Sequence, residues 1–290
     1  MKHWIEAARP RTLPLALSSI ILGSFLAYHS GNFHWKIFGL AVLTTTLLQI
    51  LSNFANDYGD SQNGADSSDR VGPSRAVQSG VISPAKMFKA VVIFAFLSII
   101  SGVLLLYVSF GSFADPAFLR FFGLGLVCIL AAYFYTAGKK PYGYSGFGDI
   151  SVFLFFGLVG VLGSNFLFTH VLDFKLFLPA SACGLLATGV LNLNNIRDIE
   201  SDKKTGKITI PVRLGKKKAI LYHFSLLGLA LFLTVIFLSK IGFSNYIFLI
   251  PFPLILLNGF QLLKLENPDP LLKRLALSTL VFVICLGLSL

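Results

Sequence analysis

Long apolar stretches separated by short polar segments make up most of this sequence. Nine such stretches occur, each close to the length that crosses a lipid bilayer as a helix. They fall at Leu13–Tyr28, 36–55, 86–110, 118–136, 148–169, 176–193, 218–239, 245–263 and 272–290. The pattern predicts an all-α membrane protein in which nine transmembrane helices form one bundle, with a single domain over residues 1–290.

Composition supports a membrane location and argues against nucleic acid as a partner. The chain of 290 residues is 55% hydrophobic and 13% charged, and its mean hydropathy is +0.76. A soluble domain of this size could not hide so much apolar surface. We therefore attribute the net charge of +11 to membrane topology and to an anionic ligand or lipid. We expect a multi-pass protein of the cell (inner) membrane that contacts membrane lipids and binds no nucleic acid.

The basic residues predict the orientation in the membrane. With nine spans, twenty of the lysines and arginines fall on the side of the N-terminus and four on the other side. Such an excess is typical of cytoplasmic loops. The N-terminus and the three long polar connections, at 56–85, 137–147 and 194–217, are therefore predicted to be cytoplasmic.

The first of these connections carries a motif whose side chains are suited to binding a metal ion and phosphate. It begins within NFANDYGDSQNGADSSDRVGPSR, in which Asn56 and Asp60 are four residues apart and share one face if they are helical. Carboxylates and an amide would hold a divalent cation such as Mg2+, and the cation with arginines would hold phosphate oxygens. The alternative is a solvated loop. The candidate residues are Asn56, Asp57, Asp60, Asp66, Arg70 and Arg75.

A second motif lies in LNLNNIRDIESDKKTGKITIPVRLG. Asn194, Asp198 and Asp202 are spaced by four residues and predict a single helical stripe, although a plain surface helix face is equally compatible with the two acids. The segment is similar to the first. Asp60 precedes Gly64 and a Pro-x-Arg ending at Arg75, and Asp202 precedes Gly206 and a Pro-x-Arg ending at Arg213. This similarity suggests an internal duplication in which two acidic segments face one another.

Two facing acidic clusters indicate Mg2+ ions that grip a diphosphate, because so many acids would repel one another without cations. No phosphate-binding P-loop occurs in the sequence, which argues against an ATPase. The candidates for the remaining diphosphate oxygens are Arg70, Arg75, Arg197, Lys203, Lys204 and Arg213.

The middle connection, YTAGKKPYGYSGFGDI, adds aromatic and basic residues. Tyr142 and Tyr144 are candidates to line an aromatic acceptor pocket, and Lys139 or Lys140 to attract an acceptor carboxylate. Ordinary interfacial anchoring of the tyrosines is the alternative. Further on, the spacing of Gly157, Gly160 and Gly163 predicts close helix packing rather than a phosphate loop.

Four stretches together resemble the UbiA superfamily of intramembrane prenyltransferases. They are ARPRTLPLA, LSNFANDYGDSQNGADSSDRVGPSR, YGYSGFGDISVFLFFG and LNLNNIRDIESDKKTGKITIPVRLG, and within the family they are most similar to the branch that acts on 1,4-dihydroxy-2-naphthoate in menaquinone synthesis. The family's first motif, Asn-Asp-x-x-Asp-x-x-x-Asp, is matched except at Gly64, where Asp66 is the substitute. Its second motif, Asp-x-x-x-Asp, is matched by Asp198 and Asp202.

The resemblance implies Mg2+-dependent transfer of a polyprenyl group from polyprenyl diphosphate to 1,4-dihydroxy-2-naphthoate, with loss of CO2 and diphosphate to give demethylmenaquinone. On this reading Asn56, Asp57, Asp60, Asp66, Asn194, Asp198 and Asp202 hold the metal, and Asp60, Asp198, Asp202 and Lys140 are the catalytic candidates. Other acceptors, such as 4-hydroxybenzoate or homogentisate, leave the motifs unchanged. A cation carrier is the alternative from another class, since acids within membranes often mark ion pathways.

Overall fold

The computed structural model describes residues 1–63 and 75–290. Within these ranges every regular element is a helix, and no strand occurs. The main helices are α1 (Lys2–Ala8), α2 (Leu13–His29), α3 (Trp35–Gln62), α4 (Pro84–Phe110), α5 (Pro116–Phe134), α6 (Gly148–Val152), a π-helix (Phe153–Leu162), α7 (Gly163–Thr169), α8 (Phe177–Arg197), α9 (Ile199–Lys204), α10 (Ile210–Ile241), α11 (Pro251–Leu262) and α12 (Asp269–Ser289).

Eight of the predicted spans are confirmed as helical stretches long and apolar enough to cross a membrane, within the part of the chain that is described. The ninth, expected at 245–263, is a shorter apolar stretch over Ile247–Leu262. Pro251 starts a new helix at its first position there, so α11 has 12 residues. At 1.5 Å per residue it is about 18 Å long, short of the roughly 30 Å hydrocarbon core. Nine spans and their orientation stay predictions.

Capping residues explain why two spans begin slightly before their predicted starts. Ser83 and Asp115 cap α4 and α5, and their side chains accept hydrogen bonds from the main-chain N–H groups of Lys86 and Ala117 at 3.4 and 2.6 Å. A proline follows each cap at the first helical position, where its fixed φ angle is favourable. These local signals therefore set the helix starts.

The described chain divides into two compact units. The first contains Met1–Leu13, Trp35–Gly148 and Glu200–Thr209, with 64–74 outside the described residues. In its core, Leu51 and Phe54 of α3 pack with Met87 and Val91 of α4. The Asn53 side chain donates a 2.8 Å hydrogen bond to the carbonyl of Ala8, which ties α1 to α3. The first unit thus holds the end of α3 on a packed helical frame.

The second unit contains Pro14–His34, Asp149–Ile199 and Ile210–Leu290. The close packing predicted from the spacing of Gly157, Gly160 and Gly163 is confirmed at Gly157, where a Cβ would lie 2.8 Å from both the Ala180 carbonyl oxygen and the Gly184 Cα. Only a glycine allows the π-helix and α8 to approach so closely. The prediction of a single domain stays a prediction.

Candidate active site

The first acidic motif lies in the last turns of α3 and not in a loop after it. The helix continues to Gln62, beyond the predicted end at residue 55, so Asn56 and Asp60 share one helix face as expected. Asp57 is 1% exposed and Asp60 is 3% exposed. Carboxylates this deeply buried need charged or hydrogen-bonding partners, and the structure supplies them.

Asp60 is held by a cation and a hydroxyl group. The Arg75 guanidinium forms an ion pair with one carboxylate oxygen, and the Tyr144 hydroxyl donates to the other at 2.5 Å. Arg75 also donates through Nη1 to the main-chain carbonyl of Asn56, at 2.5 Å. These charge-assisted bonds fix both the orientation of the carboxylate and the position of the guanidinium.

Asn56 and Asp57 complete this end of α3. The Thr136 hydroxyl, 3.2 Å from the side-chain oxygen of Asn56, donates to it. The two carboxylate oxygens of Asp57 accept the main-chain N–H groups of Ala76 and Val77, at 3.1 and 3.2 Å. Asp57 therefore anchors the turn that directly follows Arg75, in addition to its predicted role as a metal ligand.

Within the first unit, Tyr144 connects Asp60 of the first motif to the segment that follows Asp202 of the second motif. Its hydroxyl contacts Asp60, its main-chain carbonyl accepts the N–H of Ile208 at 2.8 Å, and Lys207 Nζ lies 5.6 Å from its ring centroid. Lys207 Nζ is also 3.4 Å from a carboxylate oxygen of Asp202, which is 6% exposed. The structure thus brings a tyrosine, a lysine and two motif carboxylates together.

The position of Lys207 follows from the way in which α9 ends. Gly206 has a φ of 72°, and its N–H donates to the carbonyl of Lys203. The N–H of Lys207 donates back to the carbonyl of Asp202 at 2.9 Å. These two bonds form a Schellman motif, in which the glycine reverses the chain. A glycine at the end of a helix indicates such a reversal, so Gly206 could have identified Lys207 as a candidate near Asp202. The sequence analysis did not include Lys207.

The second motif departs from the predicted single stripe. α8 ends at Arg197, and Asp198 adopts a φ of −97° and a ψ of 9°, outside the helical region. Aspartate has a low helix propensity, and this sparsely populated region of backbone angles is common at active sites. Asn194 and Asp198 belong to the second unit, whereas Asp202 belongs to the first.

The Arg197 guanidinium contacts the polar residues of the second motif and one acid outside the motif. Its Nε and Nη2 each donate to one oxygen of Asp198 at 2.8 Å, and Nη2 also donates to the Asn194 side-chain oxygen at 2.8 Å. Nη1 forms an ion pair with Asp269, a residue that the sequence analysis did not select. The Arg197 side chain is 1% exposed. It therefore orients Asp198 with great precision.

A further buried acid, Asp149, pairs with Tyr222 in the second unit. The Tyr222 hydroxyl donates to a carboxylate oxygen of Asp149 at 3.0 Å, and Thr188 lies 3.5 Å from the Asp149 main-chain carbonyl. Asp149 is 7% exposed. Nothing in the sequence linked Tyr222 to the middle connection, because 73 residues separate the pair.

The other predicted residues are less enclosed. Lys140, Lys203 and Arg213 are exposed, and Lys203 lies 3.5 Å from a carboxylate oxygen of Glu200. The Tyr142 hydroxyl donates to the Ala131 carbonyl at 2.9 Å, which supports a structural role for that side chain. Gly64, Asp66, Arg70 and Pro73 lie outside the described residues.

Comparison with known families now adds to this geometry. The family model described as the UbiA prenyltransferase family matches residues 16–284, nearly the whole chain. The chain belongs to the UbiA prenyltransferase family. Its fold is similar to that of a solved UbiA homolog from Archaeoglobus fulgidus bound to DMAPP and Mg2+, with a TM-score of 0.67 at 16% identity, covering 98% of this chain and 97% of the other.

Two relatives of this UbiA chain are similar over almost their full length. Both are named 1,4-dihydroxy-2-naphthoate octaprenyltransferase. The one from Haemophilus influenzae is 43% identical, with 100% of this chain and 96% of the relative covered. The one from Escherichia coli is 45% identical, with 99% and 95% covered.

The oxygen donors of this UbiA chain fit Mg2+. Among residues 1–63 and 75–290, no three His, Cys, Asp or Glu side chains are grouped closely enough to hold a metal by themselves. Mg2+ does not require such a group, because it usually binds through one or two carboxylates, water and substrate phosphates. An amide and a carboxylate lie one helical turn apart in each unit, Asn56 with Asp60 and Asn194 with Asp198.

Proposed function

We propose that this chain transfers a polyprenyl group from polyprenyl diphosphate to 1,4-dihydroxy-2-naphthoate in a Mg2+-dependent reaction, with loss of CO2 and diphosphate, to give the 1,4-diol demethylmenaquinol, the reduced form of demethylmenaquinone. The observation that carries the proposal is the full-length identity of 43–45% to two relatives named for this acceptor. The buried carboxylates and guanidinium groups of both motifs are suited to the donor diphosphate.

The donor site in this proposal uses both motifs. The residues that would hold Mg2+ are Asn56, Asp57, Asp60, Asp66, Asn194, Asp198 and Asp202. When bound with the diphosphate, Mg2+ supplies positive charge that stabilises the leaving group as the allylic C–O bond breaks. Arg75 is already aligned with Asp60, and Lys207 with Asp202, so both cations stand beside proposed metal ligands. They would donate to diphosphate oxygens, together with Arg70, Lys203 and Arg213.

Low exposure of the carboxylates strengthens these interactions. Asp60, Asp198 and Asp202 are 3%, 4% and 6% exposed. Charges act over short distances with less screening when water is excluded, so preorganised cations contribute more to the departure of a diphosphate there than in water. The same exclusion would protect an allylic carbocation from hydrolysis.

In this proposal, residues of the middle connection bind the acceptor. Lys140 is exposed and cationic, and we propose that it attracts the carboxylate of the naphthoate. Tyr144 has its ring beside Lys207 and its hydroxyl on Asp60, so it is the better candidate of the two tyrosines to contact substrate. Tyr142 would support the pocket from behind, through its bond to the Ala131 carbonyl.

The proposed location is the cell (inner) membrane, with the motif segments on the cytoplasmic side. The eight membrane-length apolar helices found among the described residues and the family assignment support membrane insertion. The excess of basic residues among the polar connections supports the orientation.

A competition assay tests the proposal. Purified protein in detergent receives a labelled polyprenyl diphosphate, Mg2+, and equal amounts of 1,4-dihydroxy-2-naphthoate and 4-hydroxybenzoate, and the products are separated by mass. We expect a decarboxylated prenyl naphthol, and we expect Asp60→Asn and Asp198→Asn to lose it. Glu200→Gln is the matched control, because Glu200 lies between the motif acids and its side chain is 82% exposed.

Prenylated 4-hydroxybenzoate as the main product would refute the acceptor and leave the donor chemistry standing. Unchanged product in both aspartate variants would refute the site. The length of the transferred chain can be read from the same spectra.

A further inference from the structure

Arg197 has an acceptor on every nitrogen of its guanidinium group. Nε and Nη2 face the two oxygens of Asp198, Nη2 also reaches Asn194, and Nη1 faces Asp269. The side chain is 1% exposed, so water has almost no access to it. Such a group has one orientation, and that orientation depends on all three partners.

Asp269 comes from a different part of the second unit and is itself well fixed. It is the first residue of α12, where a negative charge is favoured by the helix dipole. Its main-chain N–H donates to the Asn267 side chain at 2.9 Å. Two residues further on, the carbonyl of Leu271 accepts the side-chain N–H of Asn258 at 3.0 Å. The start of α12 is therefore a firm support for Arg197.

The net charge around Arg197 matters for Mg2+ binding as much as the geometry does. A buried aspartate with a bidentate arginine forms a neutral pair, and a neutral pair attracts a divalent cation weakly. A second carboxylate on the far side of the guanidinium gives the group Asp198–Arg197–Asp269 a net charge of −1. The arginine then holds Asp198 in place without cancelling the negative charge needed at the second motif.

We propose that Asp269 is a positioning residue for the second motif, acting through Arg197 to fix Asp198 and to keep that group negatively charged for Mg2+ binding. The inference rests on the proposed function, in which Asp198 holds Mg2+. It gives Arg197 a role through Asp198 in place of direct contact with diphosphate. Partners of this indirect kind typically change metal affinity by about 10–100-fold when they are replaced.

A binding experiment that involves no turnover tests this role. Geranyl S-thiolodiphosphate, which the protein cannot ionise readily, is titrated into the purified protein at a series of Mg2+ concentrations, and unfolding temperature is measured in parallel. Asp269→Asn keeps the shape of the side chain and removes its charge. Glu266→Gln is the matched control, because it removes an exposed acid from the connection just before α12.

We expect Asp269→Asn to raise the Mg2+ concentration for half-maximal binding by at least tenfold, whereas Glu266→Gln leaves it unchanged. Asp269→Glu should recover part of the loss. In Arg197→Gln, adding Asp269→Asn should cause little further change, since Asp269 acts through Arg197. If Asp269→Asn alone folds poorly, the comparison of Arg197→Gln with and without Asp269→Asn still tests whether Asp269 acts through Arg197.

An unchanged Mg2+ requirement in Asp269→Asn, or full additivity of the two substitutions, would overturn the inference. So would a drop in unfolding temperature with no change in Mg2+ requirement, since that would mean a purely structural role. Failure of the wild-type protein to bind the analogue with Mg2+ would refute the proposed function itself, a result distinct from these.

Discussion

Replacing Arg75 with methionine should destabilise the protein more than most single substitutions do. The guanidinium pairs with Asp60 and also donates to the Asn56 carbonyl, and the side chains of Arg75 and Asp60 are only 9% and 4% exposed. Removing one member of a buried ion pair leaves the other charge uncompensated, at a cost of about 3–5 kcal/mol. The Tyr144 hydroxyl remains on Asp60, which favours the lower end of that range.

A second variant separates the charge effect from the packing effect. In Arg75→Met with Asp60→Leu, neither member of this ion pair is left charged without the other, and the loss that is new to the double variant is the acceptor of the Tyr144 hydroxyl, which costs about 1–3 kcal/mol. The double variant should therefore be more stable than Arg75→Met alone, although it should be inactive. Arg120→Met is the control, since Arg120 is exposed, and we expect a change within about 0.5 kcal/mol.

Equilibrium unfolding in mixed detergent micelles, followed by circular dichroism, measures these differences. A cost below about 1 kcal/mol for Arg75→Met would contradict the reasoning, because a buried charge would then have found other compensation. A double variant less stable than the single one would also contradict it.

Three further outcomes are expected. Gly157→Ala should lower the unfolding temperature, because its Cβ would lie 2.8 Å from the Ala180 carbonyl oxygen. Gly39→Ala is the control and should not lower it, since no atom lies within 4 Å of a Cβ there. Equal effects of the two substitutions in a thermal melt would refute this. Lys207→Gln should weaken binding of the prenyl thiolodiphosphate about tenfold, as expected for loss of a charge-assisted bond, and should also lower stability because it removes the cation beside the buried Asp202. Calorimetry would measure the affinity, and an unchanged affinity would refute this. Chelation of divalent cations should abolish product formation, and added Mg2+ should restore it; product formed in excess chelator would refute the metal requirement.

Much of the helical framework follows from local signals in the sequence. Apolar length located eight spans among the described residues. The spacing of Asn56 and Asp60 allowed a shared helix face, and they have one because α3 continues to Gln62, past the predicted end at residue 55. Close helix packing at Gly157 was also predicted, since small residues at this spacing permit it, but the partner helix α8 was not. The ends of elements were less predictable, because polar residues such as those after residue 55 can continue a helix when tertiary contacts hold them there.

The partners of the charged residues could not be predicted in this way. Arg197 and Asp269 are 72 residues apart, and Tyr144 and Asp60 are 84 apart, so only the fold brings each pair together. A list of acidic and basic candidates therefore identified the chemistry but not the pairing. Lys207 is the exception: the glycine at 206 would have indicated a chain reversal that returns it to Asp202.

The most direct test of the account is release of labelled CO2 from carboxyl-labelled 1,4-dihydroxy-2-naphthoate by the purified protein. The account predicts that release requires both polyprenyl diphosphate and Mg2+, matches the prenylated product mole for mole, and is lost in Asp198→Asn but kept in Glu200→Gln. Release without the diphosphate, or prenylation that leaves the label on the product, would contradict it.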